Sequence, residues 1–270
     1  VPAAALLLRR PVKWIEDRVE NFISTVSERL QLWDMEAAFD GEGRLLGIRG
    51  QLLHDHGACT PYGVALPFNA VTNMIGPYVL PAVDIDISLC LTNLVPAAPT
   101  RGAGRPQGTF VMERLLDAMA GQLGIGRDEI RRRNLISAAQ MPFEVPIKQR
   151  DGSVMRYDSG DYPECQRRAL AAIDWDGFPA RRAAALAQGR YRGIGLANYV
   201  EATGRGPFES ASVRVGPSGT IVVTTGATAQ GQGTRSMLAE LVAAQLDVAP
   251  EHIQLRDGDT DASALGLGAF

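Results

Sequence analysis

Arg101 and Arg105 stand in the stretch Ala98-Pro99-Thr100-Arg101-Gly102-Ala103-Gly104-Arg105-Pro106-Gln107-Gly108, which runs straight into an apolar-periodic segment. Two guanidiniums at a helix N-terminus make a place for an anion, or for an oxygen that becomes negative during a reaction. Glycines at 102 and 104 let backbone amides approach a ligand with no Cβ in the way. Pro106 suits the first helical turn, where a missing N–H costs nothing. A second loop of the same kind, Ala229-Gln230-Gly231-Gln232-Gly233-Thr234, again opens a helical run. Taken singly, each loop is also what an ordinary strand-to-helix connection needs. Together they predict one large polar cofactor gripped from two sides.

Other chemistries are less well supplied. The first loop is not a dinucleotide fingerprint, because its third glycine is misplaced and no acidic residue follows at the right distance. The second lacks the lysine of a phosphate-binding P-loop, and the chain has no Gly-x-Ser-x-Gly elbow. His54-Asp55-His56 invites a metal reading, since i, i+2 spacing on a strand puts both imidazoles on one face. No further cluster supplies a third and fourth ligand. Asp84 and Asp86 read as solvated acids of a strand face. Cys59, Cys90 and Cys165 form neither a disulfide framework nor a metal-ligand spacing, and read as buried thiols in a reducing compartment.

The elements that must position these loops follow from periodicity. Residues 1–10 read as the tail of a helix, and 11–18 as an extended entry. Residues 32–39 and 45–53 flank Asp40-Gly41-Glu42-Gly43 and predict a hairpin. Residues 61–81, rich in proline, glycine and asparagine, predict an irregular connection lying over a neighbouring domain or subunit. Residues 83–91 alternate with period two and predict a half-buried strand delivering the chain to Arg101. A helix over 106–123 places Phe110, Leu115, Met119 and Leu123 near one core-facing stripe. A short helix over 128–134 follows, with acids first and arginines last, as the helix dipole favours; the run Arg131-Arg132-Arg133 reads as its solvated end.

Polar, proline-bearing residues 140–160 suit a boundary, and helices are predicted over 162–173 and 179–188. Strands follow at 193–202, 210–215 and 220–225, then a helix over 234–246, a turn at Pro250 and a strand at 253–255. The fold class is α/β (α+β), two mixed sheet-plus-helix halves. The division is 1–145 for the first half, 146–190 for an interdomain strap with helices, and 191–270 for the second half.

Of 270 residues 46% are hydrophobic and 21% charged, with net charge −3, so a core is affordable and nucleic acid is disfavoured as the main partner. No apolar run of about 18 residues is present, which removes a helical membrane span. The start inside an apolar run and the end in a glycine-rich loop read as the middle of a longer chain.

Several stretches carry a family resemblance. Arg9-Arg10-Pro11-Val12-Lys13-Trp14-Ile15-Glu16-Asp17-Arg18 resembles the Arg-Pro-Val-Lys-Trp-x-Glu-Asp-Arg stretch of the molybdenum hydroxylases, the xanthine dehydrogenase, aldehyde oxidase and aerobic carbon monoxide dehydrogenase family. Residues 100–107 resemble that family's Arg-Gly-x-Gly-x-Pro-Gln/Glu active-site loop, and residues 128–136 its Glu-Ile-Arg-Arg-Arg-Asn-Leu/Phe-Ile signature. Gly231-Gln232-Gly233 is similar to the second molybdopterin loop. Asp257-Gly258-Asp259-Thr260-Asp261 resembles the Gly-Asp-Thr segment leading to a third.

The resemblance implies a molybdopterin-binding large subunit. Its molybdenum is held by a pyranopterin dithiolene, in bacterial members as the cytosine dinucleotide. The implied activity oxidises an aldehyde or N-heteroaromatic with a water-derived oxygen, and electrons pass to [2Fe-2S] and FAD partners. A dimer of heterotrimers in the cytoplasm is implied. By the same resemblance Thr100, Gly102, Ala103, Gly104, Gly231, Gln232 and Gly233 bind the cofactor. Arg101 orients substrate or supports the oxo group, Arg105 packs or meets phosphate, and no residue here is a metal ligand. The copper-binding cysteine of true carbon monoxide dehydrogenases is replaced by Gly102, which argues against that activity. The family's glycine-rich loop before residue 1 and its catalytic glutamate fall outside this chain. The alternative is a non-catalytic or truncated scaffold of such a complex.

Overall fold

The computed structural model describes the chain except residues 28–29, 61, 202–207, 260, 263–264 and 269–270. Thr260 of the last motif and the end of the 193–202 strand prediction therefore lie outside the described residues. The chain divides into two compact units, residues 1–201 and 202–270.

The first unit opens with helices α1 (Pro2–Leu8) and α2 (Arg18–Ser24). The second was not expected. It starts where Asp17 caps it, the Asp17 carboxylate accepting from Glu20 N–H and the Glu20 carboxylate from Asp17 N–H, a reciprocal capping box. Strands β1 (Gln31–Phe39) and β2 (Leu45–Asp55) form the predicted antiparallel hairpin. Helix α3 (Ala65–Asn73) then crosses over to β3 (Val83–Cys90), which pairs with β2 in parallel. The sheet order is β1-β2-β3. Asp84 and Asp86 project with Asp34, Glu36 and Arg49 from the exposed face, as the alternation predicts.

The expectation for residues 61–81 is corrected. α3 and the turn behind it are core: Leu66, Ala70, Met74, Ile75, Tyr78 and Leu80 are all buried. Helix α4 (Arg105–Leu123) packs against α3, and Gly124 ends it in the left-handed conformation. Its buried stripe runs through Val111, Met112, Leu116, Met119 and Ala120, while Phe110 is exposed, contrary to the predicted stripe. Helix α5 (Arg127–Asn134) has the expected charge order. Its arginines do not all face water. Arg132 and Arg133 pair with Glu129, but Arg131 is 1% exposed and turned inward.

Arg131 lies at the centre of a buried polar network. Its Nε donates to Glu113 Oε2 at 2.6 Å, its Nη2 pairs with Asp117 at 2.9 Å, and Nη1 donates to Arg127 O at 2.8 Å. The Tyr78 hydroxyl donates to the other Glu113 oxygen at 2.5 Å. Burial alone would lower the Arg131 guanidinium, but Glu113 beside it offsets this and holds the group above its ordinary value.

Residues 140–160 carry a hairpin, β4 (Phe143–Lys148) with β5 (Val154–Tyr157), packed on the same core through Val145. Helices α6 (Tyr162–Ala172) and α7 (Phe178–Leu186) are close to prediction. Residues 193–201 alternate in exposure yet join no strand. They are held by side chains instead: Asn198 Nδ2 donates to Tyr78 Oη at 3.2 Å and to Gln166 Oε1 at 2.8 Å.

The second unit carries β6 (Ala211–Val215), β7 (Ile221–Thr225), α8 (Thr234–Leu246) and β8 (Ile253–Asp257). β6 and β7 are antiparallel and β7 and β8 parallel, with α8 in the crossover. Ile221, Val223, Ala243 and Ile253 form its small core. The three cysteines are free; Cys59 and Cys165 are exposed, so the expectation of buried thiols is wrong for both. No helix among the described residues is long and apolar enough to cross a membrane.

Candidate functional site

The first glycine loop grows from the carboxyl ends of two parallel strands. Asp55, ending β2, accepts from Gly57 N–H at 2.7 Å and from the Thr92 hydroxyl at 2.9 Å. Ala97 N–H donates to His56 O at 2.9 Å, which sets the chain that climbs to Thr100. His54 and His56 lie buried beside one another, ring centroids 4.7 Å apart and edge to face. Among the described residues no group of three or more metal-ligating side chains forms around them or elsewhere.

Gly102, Ala103 and Gly104 take successive positive φ values of 102°, 39° and 95°. The turn is knit internally, Ala103 N–H donating to Thr100 O at 2.8 Å and Arg105 N–H to Gly102 O at 2.9 Å. The close approach that Gly104 permits is that of α3: a Cβ there would lie 2.5 Å from Leu66 O and 2.8 Å from Ala70 N. Gly108 serves the same contact, its Cβ position being 2.3 Å from Ala70 O. Thr100 and Arg101 remain exposed at the rim. Arg105 is buried and its Nε lies 3.3 Å from Glu201 Oε1, so it is engaged with the end of the 193–201 segment. A cleft of 680 Å³ adjoins the loop through Pro106 and Gln107, walled by Trp33, Met35, Phe110 and Leu115.

The second loop is built differently. Gly231 and Gly233 have φ of 108° and 81°, and a Cβ on either would meet nothing within 4 Å among the described residues. Gly231, Gln232 and Gly233 are exposed. Their backbone N–H groups donate to nothing among the described residues. The Gln232 side chain braces its own loop, Oε1 accepting from Gln230 N–H at 2.6 Å and Nε2 donating to Thr228 O at 3.4 Å. Asp257, whose side chain is 2% exposed, accepts from Ala229 N–H at 3.0 Å and pairs with Arg235 in the first turn of α8. Arg235 first, and the Ala229 amide second, hold the Asp257 carboxyl below the usual carboxylate range.

Each predicted loop is thus a single local cluster: Thr100, Arg101, Gly102, Ala103 and Gly104 in the first unit, and Gly231, Gln232 and Gly233 in the second. The sequence reading passed over three side chains that organise them, Glu201, Arg235 and Asp257. Asp257 lay inside a quoted motif, but nothing in its spacing pointed at Ala229.

Two models of the molybdopterin cofactor-binding domain match the chain, one over residues 1–135 and one over 168–270. The gamma subunit of the 6-hydroxypseudooxynicotine dehydrogenase complex of Paenarthrobacter nicotinovorans is 35% identical, covering 99% of this chain and 34% of its own length. The carbon monoxide dehydrogenase large chain of Hydrogenophaga pseudoflava is 32% identical, covering 99% of this chain and 35% of its own length. Among solved structures, quinoline 2-oxidoreductase from Pseudomonas putida 86 superimposes with a TM-score of 0.86 at 32% identity, over 99% of this chain and 35% of that one. The chain therefore spans about a third of the length of these relatives.

Proposed function

Since the chain belongs to the molybdenum hydroxylase family, we propose that it forms the cofactor-holding part of the large subunit of a molybdopterin-dependent oxidoreductase. The observation that carries this reading is the 231–233 loop. Three consecutive exposed residues whose N–H groups meet no acceptor among the described residues, the first and third at positive φ, stand at the start of a helix and suit the anionic and ring-acceptor parts of a pterin dinucleotide. The empty Cβ positions of Gly231 and Gly233 leave room for such a group to lie against the backbone.

Gly231, Gln232 and Gly233 would hold the cofactor from one loop, and Thr100, Gly102 and Ala103 from the other, where Gly104 would act by seating the loop on α3. When bound, the molybdenum centre supplies two-electron oxidation with an oxygen drawn from water. The residues of this chain orient and enclose. Arg101, exposed at the rim of its loop, directs its guanidinium toward substrate or developing negative charge. Arg105 steadies the loop from beneath through Glu201.

The substrate class is an aldehyde or N-heteroaromatic. Heteroaromatics gain support from relatives named for nicotine 6-hydroxylation and quinoline oxidation. Copper-assisted oxidation of carbon monoxide is not our reading, because Gly102 stands where that chemistry places a cysteine. The cofactor form is the cytosine dinucleotide, and the partners are iron–sulfur and FAD subunits in a cytoplasmic dimer of heterotrimers. The subunit designation of the Paenarthrobacter relative supports a multi-chain assembly. Within the chain, residues 1–145 and 191–270 are the two cofactor-binding parts and 146–190 the strap.

The test is metal and pterin analysis of the full gene product purified with its neighbours. Molybdenum near one per large chain with a released cytosine nucleotide is the expected result. Neither being present overturns the reading.

A further inference from the structure

Nothing in the sequence says what keeps the 228–233 loop in its open arc. Among the described residues nothing lies within 4 Å of the Cβ positions of the glycines there, and Gln232 braces its immediate neighbours. A glycine-rich arc without support samples many backbone states, and a ligand that binds it must bear the entropy of selecting one.

The geometry points to Asp257 as the positioning residue of this loop, clamping both ends of the arc and leaving its middle amides free to face a ligand. This inference rests on the cofactor reading given above. β7 and β8 run parallel with Thr225 beside Asp257, so the last residue of β8 lies next to the point where the chain leaves β7 for the loop. One carboxylate oxygen accepts from Ala229 N–H at 3.0 Å and from Arg235 Nε at 3.3 Å; the other takes Arg235 Nη2. Ala229 precedes the three outward amides and Arg235 follows them. This one side chain thus ties residue 229 to residue 235, outside the brace that Gln232 supplies within the loop.

Two further observations favour positioning over simple stabilisation. The Asp257 side chain is 2% exposed although it ends its strand at the surface, because the Ala229 amide and the solvent-facing Arg235 guanidinium cover and satisfy its oxygens. Asp257 is also the last residue of β8, two positions beyond Leu255, which packs on the small core of Ile221, Val223, Ala243 and Ile253. Removing the charge should therefore loosen the loop while the sheet stays folded.

The experiment compares wild type, Asp257→Asn and Arg235→Gln in the full gene product purified with its neighbours. It reads molybdenum and released nucleotide per folded chain, and hydrogen exchange by peptide. Asp257→Asn keeps the shape and one acceptor but loses the ion pair. Expected are loss of bound nucleotide on the order of tenfold faster than wild type, and faster exchange confined to residues 228–235. Arg235→Gln should reproduce both effects, and the double variant should add little beyond either single one. Wild-type nucleotide retention in both single variants overturns the proposal. So does exchange that rises equally through β6, β7 and β8, because that is a folding role. Should wild type itself carry neither molybdenum nor pterin, the cofactor reading fails. The exchange arm then decides the clamp alone, and unchanged exchange over 228–235 in Asp257→Asn overturns it.

Discussion

Replacing Arg131 by methionine removes the cation that two helices and a loop are arranged around. Arg131 is 1% exposed and meets Glu113, Asp117 and the carbonyls of Glu113 and Arg127. Its loss leaves the Glu113 carboxylate, 8% exposed, with the Tyr78 hydroxyl as its remaining neutral donor among these contacts. Deleting one partner of a buried ion pair costs about 3–5 kcal/mol, because the other charge stays buried and unpaired. The solvent-facing Arg132, 62% exposed in its pair with Glu129, is the control, worth about 0–1 kcal/mol.

Guanidinium unfolding followed by tryptophan fluorescence reads the difference, since Trp33 packs against the same core. With a slope on the order of 4 kcal/mol per M, the Arg131→Met midpoint should fall by about 1 M and the Arg132→Met midpoint hardly move. Adding Glu113→Gln to Arg131→Met should recover part of the loss, by removing the orphaned charge. Equal small shifts in both single variants would refute the reasoning.

Three other outcomes follow from the geometry. Gly104→Ala should cost about 1–2 kcal/mol for its left-handed backbone and about 1–3 kcal/mol more for the collision with α3. Gly231→Ala should cost the backbone term alone, and paired melting curves showing equal shifts would contradict this. Glu129 is held at about 2 from 4.5, by its hydrogen bonds to Arg132 and then Arg133. Because its folded value is depressed, its contribution is complete above about pH 4.5 and lost as pH falls through about 2. Acid unfolding of Glu129→Gln should accordingly be shallower in that window and less sensitive to salt; superimposable curves would exclude the assignment. Glu201→Gln should destabilise by about 1 kcal/mol, and the exchange Arg105→Glu with Glu201→Arg should restore part of it in thermal melts. No recovery would mean the pair does not anchor the loop.

How much of this could be read from the chain depended on which forces are local. The β1–β2 hairpin was legible because alternation and the Asp40–Gly43 turn act within a few residues. α8 was legible to its ends because Gly233 and an apolar run mark it. α3 was hidden: Pro67, Asn69 and Asn73 resemble loop residues, and only burial of Leu66, Ala70 and Met74 against α4 makes the segment helical. Residues 193–201 misled in the opposite sense. Their period of two is real, but it reports one-sided packing against the first unit rather than a ladder. Arg131 looked like its solvated neighbours because charge identity carries no direction; its inward turn is decided by Glu113, eighteen positions away. Both glycine loops were legible as loops, yet only structure separates the one spent on packing α3 from the one left open.

The two sheets share one plan, an antiparallel hairpin followed by a crossover to a parallel third strand. Their glycine loops nevertheless occupy different steps of it. The first follows the third strand, β3, whereas the second follows the middle strand, β7. Each module therefore has two places at the carboxyl ends of its parallel strands where a connection can change while the strand register stays fixed. Lengthening such a connection costs little, about 0.6 kcal/mol per doubling. New specificity can accordingly be written into the exposed residues 58–60 or 258–259 with the strands beneath them undisturbed. Laboratory selections seeking altered substrate range have most freedom there, and least at Gly57, where the backbone of Val95 leaves no room, and around Gly104 and Gly108, where that of α3 leaves none.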